Sequence, residues 1–457
     1  MKILHVILAN PHNHHGGMHN YCDELMSSQQ EMGDEVYLLY PGEWTPSKKL
    51  KIVPEQKKKN YRIQNALPVP ITFGIDNPDR YISCSATVKA TYKEWLKKIT
   101  PEIIHMHSFM GIHKEFMEAA KELSIPIVFT THDYYPICFK CNLVDSEGNN
   151  CDGRAPDKCA YCNANAGLSP YAQLVMSSRL YEKIKSSWLI SIIKNLRWKR
   201  KSIGVSSKEI VSVSTSKVEA FTRLARYYAE MMQLVTAVHC NSPMTQQYYS
   251  RYFPDIQYIS IPITSGRIIR RKRKECVHRI IRFAYMGGDS VYKGYYKLLE
   301  ALAELDKMGL HSWEMELYGG QYGTTKSDGR VHYKGQYRKE DIGKVYEDVD
   351  ALVVPSQCPE TFCLVVLEAL ANGVPVICSD LVGSKYLVEN IEEALVFSHA
   401  DSSALANSMA RLFDTLFYSD IINKINAQKL PLDIRAHAEQ IRQLYKALIN
   451  QEYLKQI

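Results

Sequence analysis

The sequence predicts an α/β protein with two domains, each built around a parallel β-sheet. A chain of 457 residues exceeds one typical domain, and 46% hydrophobic residues are enough to fill two cores. Apolar runs of strand length alternate with helical patterns, as parallel sheets require. This alternation occurs twice, on either side of a basic segment at residues 263–279, which is the predicted linker.

The first series predicts an N-terminal domain over residues 1–262. Gly16 and Gly17 follow its first strand directly and begin a helix that extends to about Met32. The region from about 138 to 230 departs from the alternation, and we predict a Cys-rich and basic helical insertion there. The predicted strands are Lys2–Ala9, Glu35–Tyr40, Ile103–His107, Ile127–Thr131, Ala237–Asn241 and Tyr258–Ile261.

The second series predicts a C-terminal domain over residues 280–430. In the closing segment, residues 431–457, apolar side chains recur every three or four residues, which predicts a final helix. The elements predicted before it are strands Ile280–Met286, Met315–Tyr318, Val331–Tyr333, Ala351–Val354 and Val374–Cys378 and helices Lys293–Met308 and Lys339–Glu347.

Charge and hydropathy narrow the functional classes. The net charge of +7 is modest but concentrated in two clusters, residues 179–208 and 267–274, and such clusters suit phosphate groups. No apolar run reaches the roughly 18 residues that a membrane-spanning helix needs. The apolar start, Ile3–Ala9, is short and lacks a cleavage site after it. We therefore expect a cytoplasmic protein.

The most informative motif lies between Pro355 and Ile377, where Glu360 and Glu368 stand eight residues apart across a strand-to-helix junction. The pattern places Glu360 in the loop and Glu368 on a helix predicted over Phe362–Ala371. Carboxylates in such apolar surroundings need polar partners, and sugar hydroxyls are suitable ones. Amides at the helix start would face a phosphate, and the residues that carry them are Thr361, Phe362, Cys363 and Leu364.

This segment resembles the Glu-x7-Glu signature of retaining glycosyltransferases of family 4. The resemblance implies the GT-B fold, with two Rossmann-like domains facing a cleft and a C-terminal helix crossing back to the first domain. It also implies a UDP- or GDP-sugar donor on the C-terminal domain and a saccharide or lipid-linked acceptor on the N-terminal one. A role in bacterial surface polysaccharide synthesis, with no metal required for catalysis, follows from the same resemblance.

The resemblance assigns roles to single residues. Glu368 would bind the ribose, and Glu360 together with His132 would hold the sugar. Lys293 would neutralise the diphosphate, and two glycine turns would let phosphates approach the backbone. These turns are Gly16-Gly17 and Gly287-Gly288. Many relatives have an arginine where this chain has Gly288, which leaves Lys293 as the chief cation.

Histidines cluster in the predicted N-terminal domain. His132 follows the strand Ile127–Thr131, at the sheet edge where ligands bind, and His107 has a similar location with weaker support. His12, His14 and His15 crowd the first loop. Since no carboxylate or cysteine accompanies them at matched spacing, we favour a loop on the acceptor side over a metal site.

Five cysteines lie between residues 138 and 162, including two Cys-x2-Cys pairs. This spacing is typical of a structural zinc site, and free buried thiols are the alternative. Disulfides are unusual in a reducing cytosol. The resemblance indicates Cys138, Cys151, Cys159 and Cys162 as the ligands, with Cys141 as an extra residue.

Residues 179–201 predict a basic amphipathic helix with Trp188 and Trp198. Such a helix either packs on its own domain or lies on an anionic membrane surface. Two other functional classes also remain open on the predicted fold. One is a nucleotide-sugar epimerase, and the other is a donor-binding regulatory protein without activity.

Overall fold

The computed structural model describes most of the chain in two compact units. The described residues are 1–11, 16–55, 59–70, 74–153, 155–164, 213–273, 280–320, 322, 328–337 and 341–450. The predicted basic helix and His12, His14 and His15 lie outside them. The first unit contains residues 1–239, 249–258 and 443–457, and the second contains residues 240–248 and 259–442.

The first unit, called here the N-terminal unit, contains an eight-stranded sheet with the order β3-β4-β2-β1-β5-β6-β7-β8. Neighbouring strands from β4 to β7 pair in parallel, whereas β3 pairs antiparallel with β4. The strands are β1 Lys2–Val6, β2 Glu35–Pro41, β3 Lys51–Pro54, β4 Asn60–Gln64, β5 Ile103–Met106, β6 Ile127–Thr130, β7 Ala237–Cys240 and β8 Gln257–Ser260.

Helices follow most of these strands. The second one, over Ala86–Ile99, shows how the sequence sets its ends. The Ser85 hydroxyl accepts a hydrogen bond from the Val88 amide, and Thr100 closes the helix in a left-handed conformation. Its buried residues include Trp95 and Leu96. The helices are α1 Gly17–Glu31, α2 Ala86–Ile99, α3 Lys114–Glu122, α4 Pro156–Cys162, α5 Thr215–Gln233 and α6 Pro243–Tyr252.

The second unit, called here the C-terminal unit, contains a fully parallel six-stranded sheet with the order β11-β10-β9-β12-β13-β14. Its strands are β9 Ile281–Tyr285, β10 Trp313–Tyr318, β11 Val331–Gly335, β12 Ala351–Val354, β13 Val376–Ser379 and β14 Val396–Phe397. Its helices are α7 Tyr295–Lys307, α8 Ile342–Glu347, α9 Leu364–Ala371, α10 Tyr386–Glu389, α11 Ser402–Arg411 and α12 Thr415–Ala427, and α13 Ile434–Asn450 closes the chain.

Two arginines of the basic segment at 267–274 have a structural role. Arg270 donates to the backbone carbonyl oxygens of Leu370 and Ile425, at the ends of α9 and α12. Arg273 forms a 2.7 Å ion pair with Asp350, whose side chain is only 1% exposed. These two side chains therefore hold the segment to the C-terminal unit.

The predicted fold class is confirmed, because both units are α/β and their sheets are parallel apart from the β3–β4 pair. The final helix α13 belongs to the C-terminal unit as far as Arg442 and to the N-terminal unit from Gln443 onward. Tyr445, in its last turns, is fully buried in the N-terminal unit. Over the residues described, no helix combines the length and hydropathy that crossing a membrane requires.

Candidate functional site

Lys293 and Glu360 form an ion pair in the C-terminal unit. Each follows the carboxyl end of a strand, β9 and β12 respectively, and these two strands are neighbours in the sheet. Lys293 Nζ lies 3.0 Å from Glu360 Oε2, and the lysine side chain is 45% exposed whereas the glutamate is 11% exposed. The pair therefore joins a sheltered carboxylate to a lysine whose side chain is almost half exposed.

The surroundings of the pair keep both groups charged. Glu360 raises the pKa of Lys293 above its usual range, although burial acts in the opposite direction. Burial alone would raise the pKa of Glu360, but Lys293, the Ser356 hydroxyl and the Cys363 thiol together lower it below its ordinary value. The carboxylate stays ionised and accepts hydrogen bonds at neutral pH.

A close backbone contact holds the two loops together. Gly294 has a φ of +80°, and a Cβ atom there would lie 1.7 Å from the Pro355 carbonyl oxygen. The Gln357 amide donates to the Tyr292 carbonyl at 2.8 Å across the same contact. Because only glycine permits this approach, the sequence at position 294 fixes the separation of the loops that carry Lys293 and Glu360.

A second glycine supports Glu360 from the other side. A Cβ atom at Gly383 would lie 2.1 Å from the Thr361 carbonyl oxygen, so the loop after β13 packs directly on this backbone. The Glu360 amide donates to the Leu381 carbonyl at 2.8 Å, and the Ser242 hydroxyl donates to the Thr361 carbonyl at 2.6 Å. The backbone that presents Glu360 is therefore held on several sides.

The helix after Glu360 begins later than predicted. Cys363 occupies the left-handed region with a φ of +76°, and α9 starts at Leu364 rather than at Phe362. The Val366 amide donates to the Cys363 carbonyl at 3.1 Å. Thr361, Phe362 and Cys363 thus lie in the loop, and Leu364 is the first helical residue.

Glu368 lies on α9 and is partly buried, as the motif predicts. Its carboxylate acts electrostatically on two tyrosines of the same unit. Burial raises the pKa of Tyr337 to about 12, and Glu368 adds to this shift. It acts in the same direction on Tyr346, whose hydroxyl lies 3.3 Å from the Val365 carbonyl oxygen.

The predicted phosphate turn Gly287-Gly288 faces a second glycine pair that sequence analysis missed. A Cβ atom at Gly320 would lie 2.9 Å from the Gly288 Cα atom, and both Gly288 and Gly319 have positive φ values. The Gly288 amide donates to the Tyr322 hydroxyl at 3.2 Å. The signal was present, because β10, like β9, is followed within two residues by a Gly-Gly pair.

The N-terminal glycine turn has a different character. Gly16 is extended and Gly17 begins α1. A Cβ atom at Gly17 would have no neighbour within 4 Å, and one at Gly16 would approach only to 3.6 Å of His19. Among the residues that the structure describes, neither backbone strain nor crowding therefore accounts for the two glycines.

His132 lies after β6 in the N-terminal unit and contacts a second histidine. Its Nε2 atom lies 3.1 Å from His107 Nδ1, and its ring packs 5.0 Å from that of Tyr21. The next residue, Asp133, accepts a hydrogen bond from the Tyr135 amide at 2.8 Å. Burial raises the pKa of Asp133 from 3.8 to about 6.

The histidines of this unit also form groupings that resemble metal sites. Within the described residues, ligand atoms of two triplets lie within 4.8 Å of one another. One is His5, His105 and His107, and the other is Cys22, His107 and His132. The predicted cysteine ligands do not form such a triplet in this part of the chain, so zinc binding there would draw their sulfur atoms closer together.

The cysteine cluster nevertheless offers donors that suit thiolates. All five cysteines are free. Cys138 accepts hydrogen bonds from three backbone amides, those of residues 140, 142 and 143, and Cys151 accepts one from the Gly153 amide at 3.4 Å. Such bonds stabilise metal-bound sulfur.

The remaining cysteines have different neighbours. The Lys140 ammonium group lies 3.5 Å from the Cys162 sulfur atom, whereas Cys141 points to the sulfur atom of Met110 at 4.0 Å. Cys159 is electrostatically coupled to Cys138, Cys151 and Cys162. The four predicted ligands are thus neighbours with polar support, and the donor set fits zinc.

Two protein-family models match this sequence. The model described as glycosyl transferases group 1 matches residues 280–415, and the model described as Glycosyltransferase Family 4 matches residues 15–158. A curated relative, the D-inositol 3-phosphate glycosyltransferase of Corynebacterium efficiens, is 28% identical over 167 residues. The match covers 33% of this chain and 39% of the relative, well under two thirds of the relative's length.

Solved structures resemble nearly the full chain. Sucrose-phosphate synthase from Thermosynechococcus elongatus has a TM-score of 0.57 at 16% identity, covering 99% of this chain and 100% of that one. HepE of Anabaena, in complex with UDP, has a TM-score of 0.55 at 13% identity, covering 98% and 100%. At these identities the likeness shows the fold alone, which is GT-B. The fold and the two family models together support a GT-B glycosyltransferase.

Proposed function

We propose that this protein is a retaining glycosyltransferase that moves a hexose from a nucleotide-sugar to a saccharide or lipid-linked saccharide, in bacterial surface polysaccharide synthesis. The observation that carries the proposal is the Lys293–Glu360 ion pair at the carboxyl ends of two neighbouring parallel strands, with Glu368 on the helix that follows. Open α/β sheets bind ligands at this edge. The C-terminal unit is therefore the proposed donor site.

In this proposal each residue acts on one part of the donor. Lys293 and the amides of residues 361–364 neutralise the diphosphate, and Glu368 accepts hydrogen bonds from the ribose. Without donor, Glu360 neutralises Lys293. When a diphosphate takes over that role, Glu360 is left to accept hydrogen bonds from the sugar, as His132 also would. HepE binds UDP in one solved structure and UDP-glucose in another, which supports uridine nucleotides as the first donors to test.

The proposed reaction is a front-face substitution at the anomeric carbon. The bond from that carbon to the diphosphate oxygen breaks as the bond to the acceptor oxygen forms. The departing phosphate oxygen receives the proton of the acceptor hydroxyl, so no protein nucleophile is needed. The positive charge of Lys293 favours the step, because negative charge accumulates on the leaving diphosphate.

A structural zinc ion in the cysteine cluster is part of the proposal. Its ligands would be Cys138, Cys151, Cys159 and Cys162, whose sulfur atoms already have neighbouring donors. Bound zinc would cross-link the segment between β6 and α4, and it has no part in the transfer step.

The acceptor determines whether the protein works at a membrane. A lipid-linked acceptor would bring it to the inner face of the cell membrane, where residues 179–201 could contact anionic lipids. Sedimentation with anionic vesicles at low and high salt tests this contact. Binding that disappears at high salt supports a lipid-linked acceptor, whereas no binding at low salt indicates a free saccharide.

The transfer activity is tested in two steps. Calorimetry with UDP, GDP and ADP identifies the nucleotide, and product analysis with the matching sugar donors then detects transfer and the anomeric configuration. Retention supports the proposal, and inversion contradicts its mechanism. Nucleotide binding with no transfer to any saccharide would indicate a regulatory protein, and conversion of the donor without acceptor would indicate an epimerase.

A further inference from the structure

Five histidines of the N-terminal unit belong to one buried hydrogen-bond network. His5 on β1 pairs in register with His105 on β5, and Thr130 on β6 pairs in register with His239 on β7. Because register partners share a face of the sheet, these side chains lie on common faces. Four of the histidines, His5, His105, His107 and His239, are fully buried, and His132 is partly exposed.

Gln29 on α1 connects two arms of this network. In the first arm, its Oε1 atom lies 2.8 Å from His5 Nε2, and His5 Nδ1 lies 3.0 Å from His107 Nε2. His107 Nδ1 lies 3.1 Å from His132 Nε2. The path thus runs from a buried amide to the histidine that the proposed function places at the sugar.

The second arm begins at the amide nitrogen of Gln29, which donates to the Tyr445 hydroxyl at 3.4 Å. Tyr445 lies 2.5 Å from His105 Nδ1, and His105 Nε2 lies 2.6 Å from the Thr130 hydroxyl. The same hydroxyl lies 2.8 Å from His239 Nδ1.

The direction of every bond in the first arm follows from Gln29. Its Oε1 atom can only accept, so His5 Nε2 carries hydrogen and His5 Nδ1 is an acceptor. His107 must then donate from Nε2 and accept at Nδ1, and His132 must donate from Nε2. Burial lowers the pKa of His5 to about 4 and that of His107 well below its usual range, so both rings are neutral and each has one proton to place.

The network also accounts for the triplet that resembles a metal site. Both ring nitrogen atoms of His5, His105 and His107 already have hydrogen-bond partners within 3.1 Å. A metal ion would have to break several of these bonds in a fully buried site. The geometry therefore favours a network of neutral rings over a metal centre.

We propose that Gln29, His5 and His107 are positioning residues that hold His132 as its Nε2–H tautomer, with Nδ1 as the acceptor of a hydrogen bond from a sugar hydroxyl. The tautomer assignment follows from the hydrogen-bond geometry of neutral rings, whereas the contact with the sugar rests on the proposed function. The three residues act on the substrate only through the ring of His132.

Nuclear magnetic resonance of protein labelled at histidine with 13C and 15N tests the assignment without any activity. The expected result is that His5, His107 and His132 all have the Nε2–H tautomer. Reversal of the Gln29 amide would switch all three to Nδ1–H and would overturn the proposal, as would a mixture of tautomers along the arm. Zinc or another metal bound at stoichiometric amount to His5, His105 and His107 would also overturn it.

Two variants separate positioning from general structure. Gln29→Met replaces the amide by a side chain of similar size that makes neither hydrogen bond, to His5 or to Tyr445. We expect the His132 signals to shift toward a mixture of tautomers. Thr130→Val is the matched control, because it interrupts only the second arm and should leave the signals of His132 unchanged. Should Gln29→Met fail to fold, the spectrum of the unmodified protein still decides the tautomers.

The kinetic consequence is measured on the same variants. Gln29→Met should lower kcat about five- to tenfold, which corresponds to the loss of one hydrogen bond between His132 and the sugar. The Kd for the nucleotide should not change. Thr130→Val should stay within about twofold of the unmodified protein, since neutral hydrogen bonds of the second arm do not reach His132. Equal losses in both variants would contradict positioning through His107. Absence of transfer by the unmodified protein would refute the proposed function and leave the tautomer result standing.

Discussion

In the proposed function, a diphosphate replaces Glu360 as the partner of Lys293. Removing the charge of Glu360 should therefore strengthen nucleotide binding, whereas removal of a binding-site residue usually weakens it. Glu360→Gln should bind UDP more tightly than the unmodified protein and transfer sugar more slowly. Glutamine keeps the size of the side chain and can still accept from Ser356, but it no longer neutralises Lys293. A diphosphate would then meet an ammonium group that no carboxylate shares.

The magnitude follows from the exposure of the pair. The 3.0 Å separation alone would give a strong interaction, but Lys293 is 45% exposed and therefore screened by solvent. Pairs of this kind contribute about 1 kcal/mol. Removing that competition should strengthen UDP binding about fivefold. Loss of a charged acceptor for the sugar should lower kcat roughly tenfold to a hundredfold, corresponding to about 1.5–3 kcal/mol.

Calorimetry with UDP at two ionic strengths and initial-rate kinetics measure both effects. The gain in affinity should shrink at high salt, because salt screens the exposed ammonium group. Glu300→Gln is the control, since it removes the same charge from an exposed surface pair with Lys297. A tenfold loss of UDP affinity in Glu360→Gln would refute the reasoning, because the carboxylate would then contact the nucleotide itself. An unchanged kcat would remove Glu360 from the sugar site.

Three further predictions concern other parts of the chain. Glu368→Ala should weaken UDP binding by about 1.5–3 kcal/mol through loss of hydrogen bonds to a charged acceptor, and calorimetry that finds no change would exclude it from the ribose site. Protein purified without added metal should contain about one zinc per chain, a count that elemental analysis provides, and metal-free protein of undiminished stability would contradict this. Because burial raises the pKa of Asp133 from 3.8 to about 6, its ionisation opposes folding as the pH rises through this window. Asp133→Asn should therefore raise the free energy of unfolding above pH 7 by at most about 3 kcal/mol, with the gain vanishing near pH 4; a gain independent of pH in denaturant titrations would show another cause.

The central parallel strands were predictable because β5, β6, β12 and β13 are short runs buried at every position, and β12 matches its predicted bounds. The edge strand β3 and its neighbour β4 were missed. Lys51–Pro54 is only four residues long and is not buried at any position, as an edge strand permits. Asn60–Gln64 contains mostly polar residues and only Ile63 and Arg62 are buried, so no apolar run indicates a strand there. The late start of α9 was also hidden, because nothing in the type of residue 363 announces its left-handed backbone.

The sequence identified candidate residues for the site, but it did not indicate which of them contact one another. Glu360 and Lys293 were both identified from motifs, but their ion pair depends on β9 and β12 being neighbours in the sheet. The arm from Gln29 through His5 to His107 joins residues far apart in the chain, so no local pattern could indicate it. The contacts of Arg270 and Arg273 were equally hidden, because charge alone does not distinguish a phosphate ligand from a side chain that binds a backbone carbonyl or a buried carboxylate.

The contact between Gly294 and Pro355 has a consequence for how such a protein could acquire a new donor. Since no side chain fits at position 294, a single substitution there cannot change the distance between the loops that carry Lys293 and Glu360 without disrupting their packing. Variation that preserves stability must come from elsewhere on the same sheet edge. Tyr322 follows the second glycine pair and contacts that edge through its side chain, whose hydroxyl accepts a hydrogen bond from the Gly288 amide. No close packing of backbone on backbone is involved in this contact. Selection for altered donor preference should therefore accumulate changes around residue 322 long before it alters residue 294.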